Sequence, residues 1–199
     1  MSNDEITSNF EKFVKILLKV KDREPQLDAF LNKYSDVIAS APGHDRSERS
    51  SAIPGGMVAR CLSVLGNARQ ISTTGVFNDS NLSMDSIIIT CLLHDIGRIG
   101  DDRGAYYVEQ TSQWHREKGI NYTYNPNIRR MSYTHRGLYL LQREGVQLTQ
   151  DEWIAILTHA GSAYDENRFY IGYEPPLAVL LQTSIKLAHM CDFQGPENR

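Results

Sequence analysis

The chain alternates runs of apolar residues at helical spacing with short polar interruptions. Between residues 7 and 20, Phe10, Phe13, Val14, Leu17 and Leu18 fall on one face, with Glu11, Lys12, Lys15 and Lys19 between them. That pattern predicts an amphipathic helix. Asp22 to Pro25 break it, and Leu27, Phe30, Leu31, Tyr34, Val37 and Ile38 define a second helix. Residues 41–56 form the longest polar, Gly/Pro/Ser-rich stretch and read as a surface connector or a flap beside a site. Helical spacing returns at Met57, Val58, Cys61, Leu62, Leu65 and Ala68.

The run Ile87 to Leu93 is apolar all round, which predicts a buried helix, with Ser83 as its N-cap and Gly97 as its C-terminal stop. From Asp101 to Asn127 the pattern is a turn, a short helix and an irregular stretch holding Tyr106, Tyr107, Tyr122 and Tyr124. His135 opens the next helix, with Leu138, Leu140 and Leu141 as core positions and Gly145 as its end. Thr149 and Glu152 have capping-box spacing ahead of Trp153, Ile154, Ile156 and Leu157, and that helix runs into His159-Ala160-Gly161. A last helix starts near Pro176 and reaches Asp192, stopped by Gln194-Gly195-Pro196. No repeat, low-complexity segment or strand stands out. The expectation is an all-α bundle of about seven to nine helices.

Composition narrows the class. With 199 residues, 41% of them hydrophobic, one compact domain is expected: residues 1–50 as helices packing on a core formed by 51–199. The formal charge is −3 with the two signs interspersed, which argues against a nucleic-acid partner. Cys61, Cys91 and Cys191 are far apart in apolar helical contexts and read as buried thiols in a reducing compartment. No apolar run reaches membrane-spanning length, and the start of the chain lacks a signal-peptide pattern. The expectation is a cytoplasmic protein with no membrane partner.

The candidate chemistry lies at helix ends. His94, Asp95, His135, His159 and Asp192 all fall at ends of predicted helices. Neighbouring helical residues point about 100° apart, so a helix end is where His94 and Asp95 can share an ion. An imidazole beside a carboxylate suits Mn, Fe, Ni or Zn. The bland alternative for each histidine is a helix cap or a packed core residue. The tyrosine-rich stretch fits either the wall of a nucleoside pocket or the edge of the core, and His115 fits a surface position better than a ligand. A phosphate-cradling Gly-rich loop, a nucleophile elbow and a zinc-spaced cysteine pair are all missing from the sequence.

The stretch Cys91-Leu-Leu-His94-Asp95-Ile96-Gly97-Arg98 resembles the signature of the HD-domain superfamily, metal-dependent phosphohydrolases built from helices, and the resemblance runs from about Pro54 to Asp192. It implies an HD-domain helical bundle and one or two divalent ions (Mn, Fe, Ni, Co, Mg or Zn) held by His94, Asp95, His135, His159 and Asp192. Asp95 and Arg98 would carry the chemistry. Arg60, Arg98, Arg136 and Lys186 would meet the phosphate of a nucleotide or related small-molecule ester. Proteins of this pattern occur in bacteria and their phages, which implies a host cytoplasm for a phage-encoded chain. The main departure is Arg60, which stands after Pro54-Gly55-Gly56 where the family places its first metal-binding His. A guanidinium cannot ligate a cation. Two functions follow: a metal-dependent phosphohydrolase, or a degenerate relative that binds a nucleotide or a protein partner without turnover. Arg60 divides them. Pointing to an open pocket it favours the first; salt-bridged to Asp95 or Asp192 it favours the second.

Overall fold

The computed structural model describes residues 1–192 apart from 48, 78, 79, 162 and 163, with backbone only for Glu166 and Asp192. Its helices are α1 (Asn3–Leu17), α2 (Glu24–Ser40), α3 (Gly56–Ser72), α4 (Met84–Leu93), α5 (Gln113–Glu117), α6 (Tyr133–Arg143), α7 (Gln150–Thr158) and α8 (Pro176–Asp192). Helix dominates the described residues, as the periodicity predicts. One correction is a small antiparallel ribbon of β1 (Tyr107–Glu109) and β2 (Tyr122–Tyr124), in which Tyr107 pairs with Tyr124 and Glu109 with Tyr122. Three residues per strand are too few for a period-two pattern to show in the sequence.

The centre of the fold is α4. Every residue from Ile87 to Leu93 is buried, which is why the run has no polar face. Ser83 caps it by accepting from the Asp85 amide. α3 packs along both α4 and α8, and α7 packs on α8 and α4. Phe13, Leu17, Leu27 and Phe30 from the first two helices are fully buried in the same core as Leu93, Leu140 and Leu181. The Thr149–Glu152 capping box forms at α7, and Glu152, itself fully buried, also takes a forked contact from Arg23 at 2.6 and 3.1 Å. That ion pair ties the start of α2 to the start of α7.

Two sequence expectations change. Gly97 is not a left-handed helix stop: α4 ends at Leu93, and Gly97 lies inside a 3-10 turn over Ile96–Ile99. Its missing side chain serves close packing instead, since a Cβ there would stand 1.9 Å from the Tyr133 carbonyl and 2.7 Å from the Gly137 amide of α6. Cys61 and Cys91 are buried, but Cys191 is exposed, because the last turn of α8 runs past the edge of the core. The connector between α2 and α3 is held by backbone bonds: Gly43 N–H to the Ser51 carbonyl, Ser47 N–H to that of Gly119, and Asn121 N–H to that of Asp45. Among the described residues no helix is long and apolar enough to cross a membrane.

Candidate functional site

The last carbonyls of an α-helix have no partner within the helix. Two histidines use this in the same way. His94 is the C-cap of α4 and His159 the C-cap of α7. Nδ1 of His94 lies 2.9 Å from the Cys91 carbonyl, and Nδ1 of His159 lies 2.6 Å from that of Ile156. A carbonyl only accepts, so each Nδ1 carries a proton, and the neutral ring of His94 keeps its lone pair on Nε2. Both Nε2 atoms face Asp95: His94 Nε2 is 3.6 Å from Oδ2, and His159 Nε2 is 3.5 Å from Oδ1. Both Nε2 atoms are buried, and neither has a hydrogen-bond partner among the described residues. The rings meet edge to face with centroids 4.9 Å apart.

Asp95 is fully buried at the start of the 3-10 turn, and two arginines hold it. Arg98 Nε donates to Oδ1 at 3.0 Å. Arg60, from α3, brings Nη2 to 2.6 Å from Oδ2. Oδ2 receives no aligned N–H, so that contact is ionic. Arg60 Nη1 donates to the Gly43 carbonyl at 3.2 Å, which links the connector to the centre. Arg98 Nη1 donates to the Tyr107 hydroxyl at 2.8 Å, and its guanidinium lies 4.0 Å from the Tyr133 ring centroid, a cation–π geometry.

The electrostatics follow from burial and these contacts. Burial alone pushes the Asp95 carboxyl up, but the Arg60 and Arg98 guanidiniums outweigh it and hold the group well below the usual carboxylate range. Burial pushes His94 down to about 3, against the pull of Asp95, so its imidazole is neutral at physiological pH. Two guanidiniums therefore face one carboxylate. Both line a chamber of about 580 Å³, to which His159, Asn167, Glu174, Gln182 and Lys186 also contribute. A wider cavity of about 1170 Å³ adjoins it and shares His44, Arg98 and Tyr133 with it.

The donor set His94, Asp95 and His159 suits a divalent ion by chemistry and spacing, with one ligand atom of each within 4.8 Å of the others. The guanidinium on Oδ2 does not suit it: an ion there requires Arg60 to leave. His135 stands apart. It is exposed at the start of α6, and its Nδ1 lies 2.6 Å from the hydroxyl of the N-cap Ser132. Arg136 is buried but points into another cleft, where it binds Asp101 at 2.7 Å and the Arg129 carbonyl. Lys186 lines the chamber from an exposed position on α8. Asp192 ends α8, and its side chain lies outside the described residues. His115 is exposed neither to the chamber nor to the wider cavity, and its Nδ1 faces the Ser112 hydroxyl at 2.8 Å. Sequence reasoning missed Tyr133, which carries Arg98 on its ring, and His44, which lines both cavities. Tyr133 had a faint signal as an aromatic residue two positions before His135; His44, inside a polar connector, had none.

No protein-family model, curated protein or solved structure matches this chain.

Proposed function

We propose that the chain is an HD-like helical protein whose centre binds the phosphate group of a small molecule, a nucleotide or related ester, without turnover. One observation carries this: Arg60 Nη2 lies 2.6 Å from Asp95 Oδ2 while Arg98 occupies Oδ1. Two guanidiniums share the one carboxylate they contact, and a buried charge without a full counter-charge is costly. An anion entering the chamber supplies that counter-charge and takes charge-assisted, forked hydrogen bonds from the arginines. Arg60 then performs the attraction of phosphate that a metal ion performs in the HD family. Keeping both is expensive: at ~4 Å and an effective dielectric of about 20, a unit charge beside a divalent ion costs roughly 8 kcal/mol.

A second reading, the metal-dependent phosphohydrolase, is favoured by the two buried Nε2 atoms facing Asp95, which have no hydrogen-bond partner among the described residues. A bound divalent ion would supply a polarised phosphoryl oxygen and a more acidic water. In that reading His94, Asp95 and His159 hold the ion, and Arg60 turns from Asp95 towards the substrate phosphate.

The test is elemental analysis of protein purified without chelator, with a screen of nucleotides and phosphate esters in Mn, Co, Ni and Mg for the natural protein and for Arg60→His. The expected result is substoichiometric metal, saturable binding of inorganic phosphate and no turnover by the natural protein. Stoichiometric metal together with turnover by the natural protein would overturn it in favour of the second reading.

A further inference from the structure

The cavity beside the cationic chamber has a different character. Tyr106, Tyr107, Tyr124, Tyr133 and Tyr164 all line it. Tyr106 is the hub, edge-on to Tyr107 at 4.9 Å, to Tyr124 at 5.2 Å and to Tyr133 at 6.5 Å between centroids. These side chains come from separate parts of the chain: the start of the ribbon, its second strand, the start of α6 and the segment after α7. Filling the edge of a core does not require them to surround open space, yet they border about 1170 Å³ of it. Two of the hydroxyls are already used, Tyr107 by Arg98 and Tyr124 by donation to the Arg129 carbonyl. Those of Tyr106 and Tyr133 make no hydrogen bond within the described residues.

The two cavities meet at Arg98 and Tyr133. Arg98 ties Asp95 to the Tyr107 hydroxyl and lies on the Tyr133 ring, so one side chain borders both the anion floor and the aromatic wall. We infer that the tyrosine cavity is a second subsite, which takes a planar heterocycle attached to the anion bound by Arg60 and Arg98. The proposal rests on the phosphate-binding reading above and deepens it. Tyrosine faces and edges suit a flat π-system. The free hydroxyls of Tyr106 and Tyr133 suit ring nitrogens or carbonyls, which a plain hydrocarbon ring lacks. Arg98 then recognises the ligand at its junction, between charged head and flat body.

The experiment is calorimetric titration of the metal-free protein with four probes: inorganic phosphate, ribose 5-phosphate, AMP and adenosine. The expected result is that AMP binds at least about fivefold tighter than ribose 5-phosphate, the low end of what stacking one base on aromatic side chains contributes. That ratio should fall towards one in Tyr106→Leu and in Tyr164→Leu, the latter an exposed position whose replacement leaves the core intact. Circular dichroism checks that each variant keeps its helices. Equal affinity for AMP and ribose 5-phosphate, with phosphate still bound, overturns this subsite and leaves the phosphate-binding reading standing. An AMP preference that survives both substitutions places the ring elsewhere and also overturns it. Failure of all four probes to bind removes the phosphate-binding reading, and the subsite with it.

Discussion

His94 and His135 both stand at a helix terminus, yet one is part of a buried centre and the other faces solvent. The difference is which terminus. At the C-terminal end of α4 a free carbonyl takes the Nδ1 proton and leaves the Nε2 lone pair pointing beyond the helix. α7 repeats this with His159, and the two helix ends converge on Asp95. At the N-terminal end of α6 the backbone offers amides, and Ser132 caps them. His135 finds only the Ser132 hydroxyl, and its ring lies outside the core. A histidine at a C-terminus is thus oriented by the helix itself; one at an N-terminus needs a partner from elsewhere.

The sharpest way to break the comparison is to remove the acid that the C-terminal histidines face. Asp95→Ala leaves Arg60 and Arg98 buried without a counter-charge and should cost about 3–5 kcal/mol in urea unfolding. Arg60→Met, which leaves Asp95 paired with Arg98, should cost clearly less. A loss below about 1 kcal/mol for Asp95→Ala would show that the arginines reach solvent and that the centre is not charge-paired.

Acid should act next on the C-terminal end of α4. The folded pKa of His94 is depressed, to about 3. Its contribution is therefore fully present above the unfolded value near 6.5 and is lost as pH falls from there towards 3. Stability should drop by about 1.4 kcal/mol per pH unit, so by about 2 kcal/mol at pH 5. Asp95, also depressed, adds its loss only below about pH 4. In chemical unfolding followed from pH 7 to 5, His94→Gln should flatten the slope. An unaltered slope in His94→Gln would refute the assignment.

Smaller effects belong to α6. Ser132→Ala removes the cap and should cost about 1 kcal/mol. His135→Ala should stay within about 0.5 kcal/mol, and it should leave phosphate affinity intact; a tenfold loss in titration would bring His135 into the centre after all.

The helices were legible because their apolar stripes are long: α4 shows no polar face and is buried on all sides, and Ser83 and Thr149 announce the starts of their helices. The site was legible only in part. Periodicity put His94, His135 and His159 at helix ends without saying which would share a space, because convergence of α4 and α7 depends on packing angles that no local pattern encodes. Arg60 was visible as an oddity of type, but only its place in the fold shows that it lies on Asp95. The ribbon was hidden by its shortness, and Gly97 was misread because a glycine after a helix suggests a left-handed cap whether or not the backbone adopts one.

Gly97 has a consequence for the descent of this chain. The contact it makes with α6 is lopsided: a Cβ at Gly97 would collide with backbone at 1.9 Å, whereas one at Gly137 would meet its nearest neighbours at 3.3 Å. Drift can therefore try alanine at 137 and relax around it, but the Gly97 side of the lineage is frozen, and Asp95 and Arg98 travel on the same frozen turn. Sister chains should take alanine at 137 long before any of them varies at 97, and a substitution at 97 should mark a branch in which the whole turn, with its acid and its arginine, has been abandoned.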